Sequence, residues 1–541
     1  MPILRVLRHC RVTPCCTEPP HSAPRPRQGQ APKVAFSGQQ AEDAAEFQDT
    51  RRENREMKST YLKQDATGLA ELVAKKEATP NELLDIALEL TEARNPAINA
   101  VVNIQEDVAR QAIRNGLPDG PFAGVPFLLK DLGAEAKAYP TDNGSKLFAG
   151  SKWSYDSEIF LRMQATGVVT YGRGTSPELG VGPVTEAQAY GGPTRNPWNT
   201  GHTSGGSSGG SGAAVAAGIV PMAHGSDGGG SVRIPASSCG LVGFKPTRAR
   251  LPDGPMSGEG WAGMAIDGFL TRSLRDTAKM LDACSGPDLG APYVAPPLEI
   301  GFMEAMNRDP GKLKVRFSTT TLSGVPIDPE CVAAVEKTAK LMADLGHDVE
   351  EFRPAADLDV EAMMMAWTTV VACGTALSVR NKLKGAPLDP AMVEGVTRAA
   401  IAYSQKLDGA DYLDAVEEVH AFGRRMAHVF LDCDVLLTST LATPPAPVGK
   451  YKPDFEDFVA YRNGPGSVFD YSPFTAIFNA SGQPAVTLPL HWSADGLPVG
   501  VHLAMAYGLD EKLMSVAAQI ERAAPWAEKQ LSLIEAGPRL A

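Results

Sequence analysis

Two glycine-rich loops decide how this chain is read: Gly205-Gly206-Ser207-Ser208-Gly209-Gly210-Ser211, then Gly225-Ser226-Asp227-Gly228-Gly229-Gly230-Ser231-Val232-Arg233-Ile234-Pro235. Residues 201–231 hold eleven glycines and six serines. Consecutive glycines let backbone N–H groups converge on a small anion, as a phosphate nest or an oxyanion hole requires. A linker does not explain them, because Ala213 to Ala217 reads as a small-residue helix between the loops. A phosphate cradle lacks its partners: there is no Gly-x-x-x-x-Gly-Lys-Ser/Thr run, and no Gly-x-Gly-x-x-Gly opening a strand-to-helix turn. Gly205 to Gly209 does fit a Gly-x-Ser-x-Gly nucleophile elbow, which calls for an acid and then a histidine downstream. His420, His428, His491 and His502 follow, none in a distinctive loop setting.

Outward from the loops, strand and helix signals alternate. Thr79-Pro80-Asn81-Glu82 is a capping box ahead of Leu83, Leu84, Ala87, Leu88 and Leu90 at helical spacing. Ile98 to Ile104 alternates like a strand. Gly124 to Asp131 is a short apolar run that delivers Lys130 to the end of a buried strand. Gly167 to Tyr171, Leu313 to Ser318, Asp348 to Phe352, Val435 to Thr438, Ala485 to Leu490 and Val499 to Met505 also read as strands. Helices are expected at Pro329 to Leu345 and Asp510 to Ala523, with a mostly helical cover over 357–430. The pattern predicts an α/β fold, one domain with a mixed central sheet covered by helices on both faces.

The 541 residues are 43% hydrophobic and 21% charged, enough for a substantial core. With 63 acidic against 51 basic side chains, the formal charge of −12 gives no support to a phosphate-binding surface, so nucleic acid is not an expected partner. The longest uncharged run, 196–226, is broken by glycines, prolines and serines, and no membrane span is read from it. Eight cysteines without CxxC spacing argue against a disulfide framework or a zinc ribbon and for a reducing, cytoplasmic setting. The nine histidines show no metal-ligand spacing, so neither a metal nor another cofactor is expected. Residues 1–56 form a separate segment: Arg5, Arg8, Arg11, Arg25, Arg27 and Lys33 face only Glu18 in the first 36, among seven prolines. That composition reads as disordered, as a targeting segment or as an over-extended start, with 57–541 as the catalytic domain.

Lys130 at a strand end, Gly206-Ser207-Ser208-Gly209-Gly210, and Ser231 placed 24 residues after Ser207 together resemble the amidase signature family. Phe478-Asn479-Ala480-Ser481-Gly482-Gln483-Pro484-Ala485 and Gly496-Leu497-Pro498-Val499-Gly500-Val501 are similar to its closing strands. Within the family, the chain looks closest to the branch that hydrolyses cyclic dimers of 6-aminohexanoate.

The resemblance implies a Ser-cisSer-Lys triad, with Ser231 as nucleophile, Ser207 as the bridging serine on a cis peptide and Lys130 as base. Gly228, Gly229 and Gly230 would offer oxyanion donors, and Ser208, Asp227 and Arg233 would support them. Gly228 departs from the family pattern, where a threonine or isoleucine is common. The chemistry is consistent with this assignment, since a lysine can take a serine proton only when uncharged, and burial beside Phe127, Leu128 and Leu129 disfavours the ammonium. The expected activity is hydrolysis of an uncharged linear or cyclic organic amide through an acyl-serine. Its alternative is the amide-hydrolysing subunit of a glutamine-dependent tRNA transamidating complex. A small-molecule amide is the expected partner, and a homodimer the expected assembly. Segments around Met256 to Ile266, Ala362 to Lys382 and Tyr451 to Phe478 are expected to shape the substrate pocket.

Overall fold

The computed structural model describes residues 55–352 and 358–541. The basic amino-terminal segment, with Cys10, Cys15 and Cys16, lies outside the described residues. The strands, in chain order, are β1 (Val101–Val102), β2 (Pro126–Lys130), β3 (Val169–Gly174), β4 (Arg195–Asn196), β5 (Asn199–Thr203), β6 (Met222–Asp227) and β7 (Val242–Lys245). They continue with β8 (Ile266–Thr271), β9 (Lys314–Phe317), β10 (Asp348–Glu351), β11 (Val435–Ser439), β12 (Ala485–Trp492) and β13 (Pro498–Ala504). Eleven of them build one sheet in the order β1-β3-β2-β6-β8-β7-β12-β13-β11-β9-β10, and β4 with β5 makes a separate ribbon. The sheet is mixed: β3, β2 and β6 run parallel, β6 through β11 pair antiparallel, and β11, β9 and β10 are parallel again.

Side chains on successive strand residues point to opposite faces. Accordingly Val435 and Leu437 enter one apolar core while Leu436 enters the other, and Val486 and Ala485 divide the same way. The first core takes helices such as Pro80–Ile98, Leu274–Cys284 and Asp510–Ala523; the second takes Val360–Leu383 and Gly409–Val429. Helices therefore cover both faces, as expected.

Several elements differ from their sequence signals. The strand expected over Ile98 to Ile104 shrinks to β1, because the capped helix continues to Ile98 and Asn99 ends it with φ 48°. Thr79 and Glu82 form the reciprocal cap, with Thr79 N–H donating to Glu82 Oε2 at 2.7 Å. Strand β6 carries His224-Gly225-Ser226-Asp227, a polar run that does not alternate, yet it lies near the centre of the sheet between β2 and β8. The helix Val360–Leu383 is long and apolar enough to cross a bilayer, with a mean hydropathy of 1.5 over its most apolar stretch, 61% of which is buried inside the protein. It does not overlap the uncharged run 196–226.

Parallel neighbours end on the same edge of a sheet. Strands β2 and β6 are parallel, so Lys130 and Asp227, each the last residue of its strand, meet at one carboxyl edge, where α/β sheets place their clefts.

Candidate active site

Lys130 is fully buried, and its Nζ donates to Ser207 Oγ at 2.7 Å and to Ser226 Oγ at 2.9 Å. Burial disfavours the ammonium and lowers its pKa to about 7, against the opposing pull of the Asp267 and Asp227 carboxylates. The strand end is fixed from both sides. Arg173 Nη1 donates to the Lys130 carbonyl at 2.7 Å, and Lys130 N–H donates to His224 Nδ1 at 3.2 Å. With Nδ1 accepting, the His224 proton resides on Nε2, which faces Asp267 Oδ1 at 2.9 Å. His224 thus braces the lysine's backbone and Asp267 occupies its other nitrogen.

The Gly206–Ser207 peptide is cis. Ser208 N–H donates to the Ser231 carbonyl at 3.2 Å, which ties the two glycine loops together. Gly180, which lines the cavity beside Ser231, also lies against the Ser207 hydroxyl: a Cβ there would stand 3.4 Å from Ser207 Oγ. The Ser207 and Ser231 hydroxyls are not hydrogen-bonded to each other, and Ser231 Oγ has no hydrogen-bond partner among the described residues.

The second loop is organised by Asp227. Its carboxylate accepts from Gly230 N–H at 2.7 Å, from Arg233 Nε and Nη2 at 2.9 and 2.8 Å, and from Asn479 Nδ2 at 2.9 Å. Burial alone would raise this carboxyl's pKa; the Arg233 guanidinium overrides it and holds the group well below the usual carboxylate range. Arg233 also donates to Asn479 Oδ1 at 2.7 Å and meets His502 Nε2 at 3.1 Å. Burial, then the Arg233 charge, push the His502 pKa well down, so the ring is neutral there. Gly230, at φ 124°, takes a conformation other residues rarely adopt. Its N–H, expected among the oxyanion donors, is already committed to Asp227. The N–H groups of Gly228, Gly229 and Ser231 find no acceptor among the described residues. Trp367 Nε1 donates to the Gly228 carbonyl at 2.9 Å, which orients the peptide whose free N–H belongs to Gly229, and Thr475 Oγ1 donates to the Gly229 carbonyl at 2.6 Å, in the peptide whose N–H Gly230 gives to Asp227. Ser208 lies behind the loop, its hydroxyl bridging the Ser226 backbone at 3.3 Å.

Trp261 explains why position 228 carries no side chain. A Cβ on Gly228 would stand 2.6 Å from the indole, and one on Gly374, also beside the ring, 2.9 Å from it. Trp261 itself has φ 49° and Ala262 φ 52°, a left-handed pair in the turn that Met264 N–H closes onto the Trp261 carbonyl. Gly228→Ala is therefore expected to overpack the site and cost about 1–3 kcal/mol in urea unfolding. Trp261→Ala in the same chain should recover most of that loss, because the two residues share one contact.

The three segments expected to shape a pocket do meet at Ser231. The cavity there, about 20 Å³, is lined by Trp261 from the first, Trp367 from the second, and Arg462, Phe469 and Ser472 from the third. It has room for about one water. Trp261 also lines a larger, open cleft of about 1060 Å³ with Val370, Leu377 and Leu383, so one half-buried ring borders both spaces. Ser226, Asp267 and Arg462 had not been singled out from the sequence, although Ser226 stands inside the quoted loop.

A family model described as Amidase matches residues 82–514. The chain is 37% identical over 491 residues to a 6-aminohexanoate-cyclic-dimer hydrolase of Paenarthrobacter ureafaciens, covering 88% of this chain and 98% of that one. It is 34% identical over 477 residues to an acylamidase of Rhodococcus erythropolis, covering 86% and 96%. A solved 6-aminohexanoate cyclic dimer hydrolase in complex with substrate superposes with a TM-score of 0.82 at 36% identity, over 87% of this chain and 99% of that one. A bacterial aryl acylamidase of the amidase signature enzymes superposes with 0.77 at 28%, over 88% and 99%. The chain is an amide hydrolase of the amidase signature family.

Proposed function

We propose that this amidase cleaves a linear or cyclic organic amide through an acyl-serine on Ser231, with Ser207 relaying the proton and Lys130 as the base. The observation that carries this is the 2.7 Å contact between a fully buried lysine and Ser207 Oγ, in a site where burial keeps much of that lysine neutral near pH 7. Neutral Lys130 takes the Ser207 proton while Ser207 takes that of Ser231, and the Ser231 oxygen attacks the amide carbonyl. For this relay the Ser207 hydroxyl donates to the neutral Lys130 Nζ and the Ser231 hydroxyl turns to donate to Ser207 Oγ. The new oxyanion faces the free N–H groups of Gly228, Gly229 and Ser231, while Gly230 shapes the loop by giving its N–H to Asp227. The relay returns a proton to the leaving nitrogen, the amine departs, and water hydrolyses the ester.

The test is to treat the protein with phenylmethanesulfonyl fluoride and locate the label by peptide mass spectrometry while following a panel of hexanamide, acetanilide, the cyclic 6-aminohexanoate dimer and glutamine. Loss of turnover matching label on Ser231 is expected; label on another residue would overturn the assignment. Ammonia release from glutamine alone, and only with a second protein present, would favour the transamidating alternative. The expectation of an uncharged substrate came from the apolar character of the three pocket segments, and Arg462 in the lining bears directly on it.

A further inference from the structure

Arg462 is 4% exposed and lines the cavity that holds Ser231. Its Nη2 donates to the Val181 carbonyl at 2.6 Å, and its Nε has no partner. Among the described residues no carboxylate forms an ion pair with it, and none acts on it electrostatically. Arg233 and Arg250, also buried, meet carboxylates, Asp227 at 2.8 Å and Asp510 at 2.9 Å; buried Arg272 has no ion pair either, but the Asp276 and Asp65 carboxylates act on it. Around Arg462 stand four aromatic rings instead, with centroids at 4.6 Å for Trp367, 5.4 Å for Phe458, 5.6 Å for Tyr461 and 5.8 Å for Phe469.

Ring faces attract a cation but supply none of the acceptors that its remaining N–H groups require. A buried charge without a counter-ion is costly, and the cost is relieved when an anion arrives. A guanidinium stacked on a flat ring presents its fork edgewise, the geometry that receives a carboxylate through two parallel hydrogen bonds. The position is also fixed relative to the chemistry. Trp367, beneath the guanidinium, is hydrogen-bonded to the Gly228 carbonyl of the loop that carries Ser231.

We infer that Arg462 is a specificity residue that binds a carboxylate carried by the amide substrate, so that the preferred substrates are monoamides of dicarboxylic acids or N-acyl amino acids rather than uncharged amides. The inference rests on the assignment of Ser231 as nucleophile only for its location. The carboxylate can sit on the acyl side or on the amine side of the scissile bond, and substrate pairs separate the two.

Hexanamide and adipamate differ by a methyl against a carboxylate on the acyl arm; N-hexylacetamide and 6-acetamidohexanoate differ the same way on the amine arm. The wild-type protein is expected to favour the carboxylate member of one pair by about tenfold or more in kcat/KM, carried by KM. Arg462→Met should erase that preference, and Arg462→Lys should retain part of it because a point charge cannot make the bidentate contact. Equal or better turnover of the methyl member in both pairs, or a preference that survives Arg462→Met, overturns the inference. Calorimetric titration of the Ser231→Ala protein with adipate and with 6-acetamidohexanoate keeps the two readings apart. Saturable binding of either that is lost on adding Arg462→Met supports the arginine's role even if Ser231 is not the nucleophile, and no binding of either overturns it.

Discussion

Ser231→Ala is expected to lower kcat for a simple amide by about 10⁴-fold, with the folded structure unchanged. Ser231 Oγ has no hydrogen-bond partner among the described residues, so deleting it leaves no buried donor or acceptor unsatisfied, and the thermal midpoint should stay within a degree or two of the wild type. The Ser231 carbonyl, which accepts from Ser208 N–H, belongs to the backbone and persists in the alanine variant. Residual turnover would come from the N–H groups of Gly228, Gly229 and residue 231 stabilising the oxyanion formed by attack of water. A steady-state assay of ammonia release, with the variant expressed where no wild-type protein can contaminate it, measures the drop. Activity within tenfold of wild type would place the nucleophile elsewhere. The elbow candidate Ser207, whose hydroxyl meets Lys130 at 2.7 Å, would then be the next serine to test.

Much of the fold was legible because its outer elements obey simple periodicities. The helix after Thr79 announced itself by a capping box, β9 by alternation of charged and apolar residues, and β11, β12 and β13 by largely apolar runs. The centre of the sheet was harder. Strand β6 is buried on both faces but contributes Gly225 and Ser226 beside His224, because strand β8 and the first active-site loop crowd against it: a Cβ on Gly225 would stand 2.8 Å from Leu270 and 2.9 Å from Ser208 Oγ. A strand that makes room for a site loses the alternation by which strands are recognised. The site itself divides in the same way. Lys130, Ser207 and Ser231 were named from spacing, since loops with fixed internal geometry fix the sequence between them. Partners that arrive from elsewhere in the chain leave no such trace. Asp267 reaches His224 from 43 positions away, and Asn479 reaches Asp227 from 252. Arg462 had one faint signal, its place among Phe458, Tyr461 and Phe469, which reads equally as a surface arginine on an aromatic helix. Only burial shows that it lacks an acidic partner.

Lys130→Met carries the other large effect and tests the lysine's charge state by two independent readouts. The substitution keeps a long unbranched chain in the same buried space, so packing is preserved while the base is removed, and kcat is expected to fall by about 10²–10⁴-fold. In the wild type the active form is the neutral amine. With a pKa lowered to about 7, activity should rise with pH through a single ionisation near that value and level off above it. The residual activity of the variant should lack that limb. Stability supplies the second readout. Because the folded pKa lies below the ordinary lysine value of 10.5, the unfolded chain binds more protons at this group between about pH 7 and pH 10.5, and wild-type stability gains from it as pH rises through that window. The methionine variant has no such group, so its advantage in urea unfolding over wild type should be largest at pH 7 and shrink toward pH 10. A variant whose stability tracks the wild type in parallel at both pH values would show that Lys130 titrates normally, and with it the buried amine would lose its standing as the base.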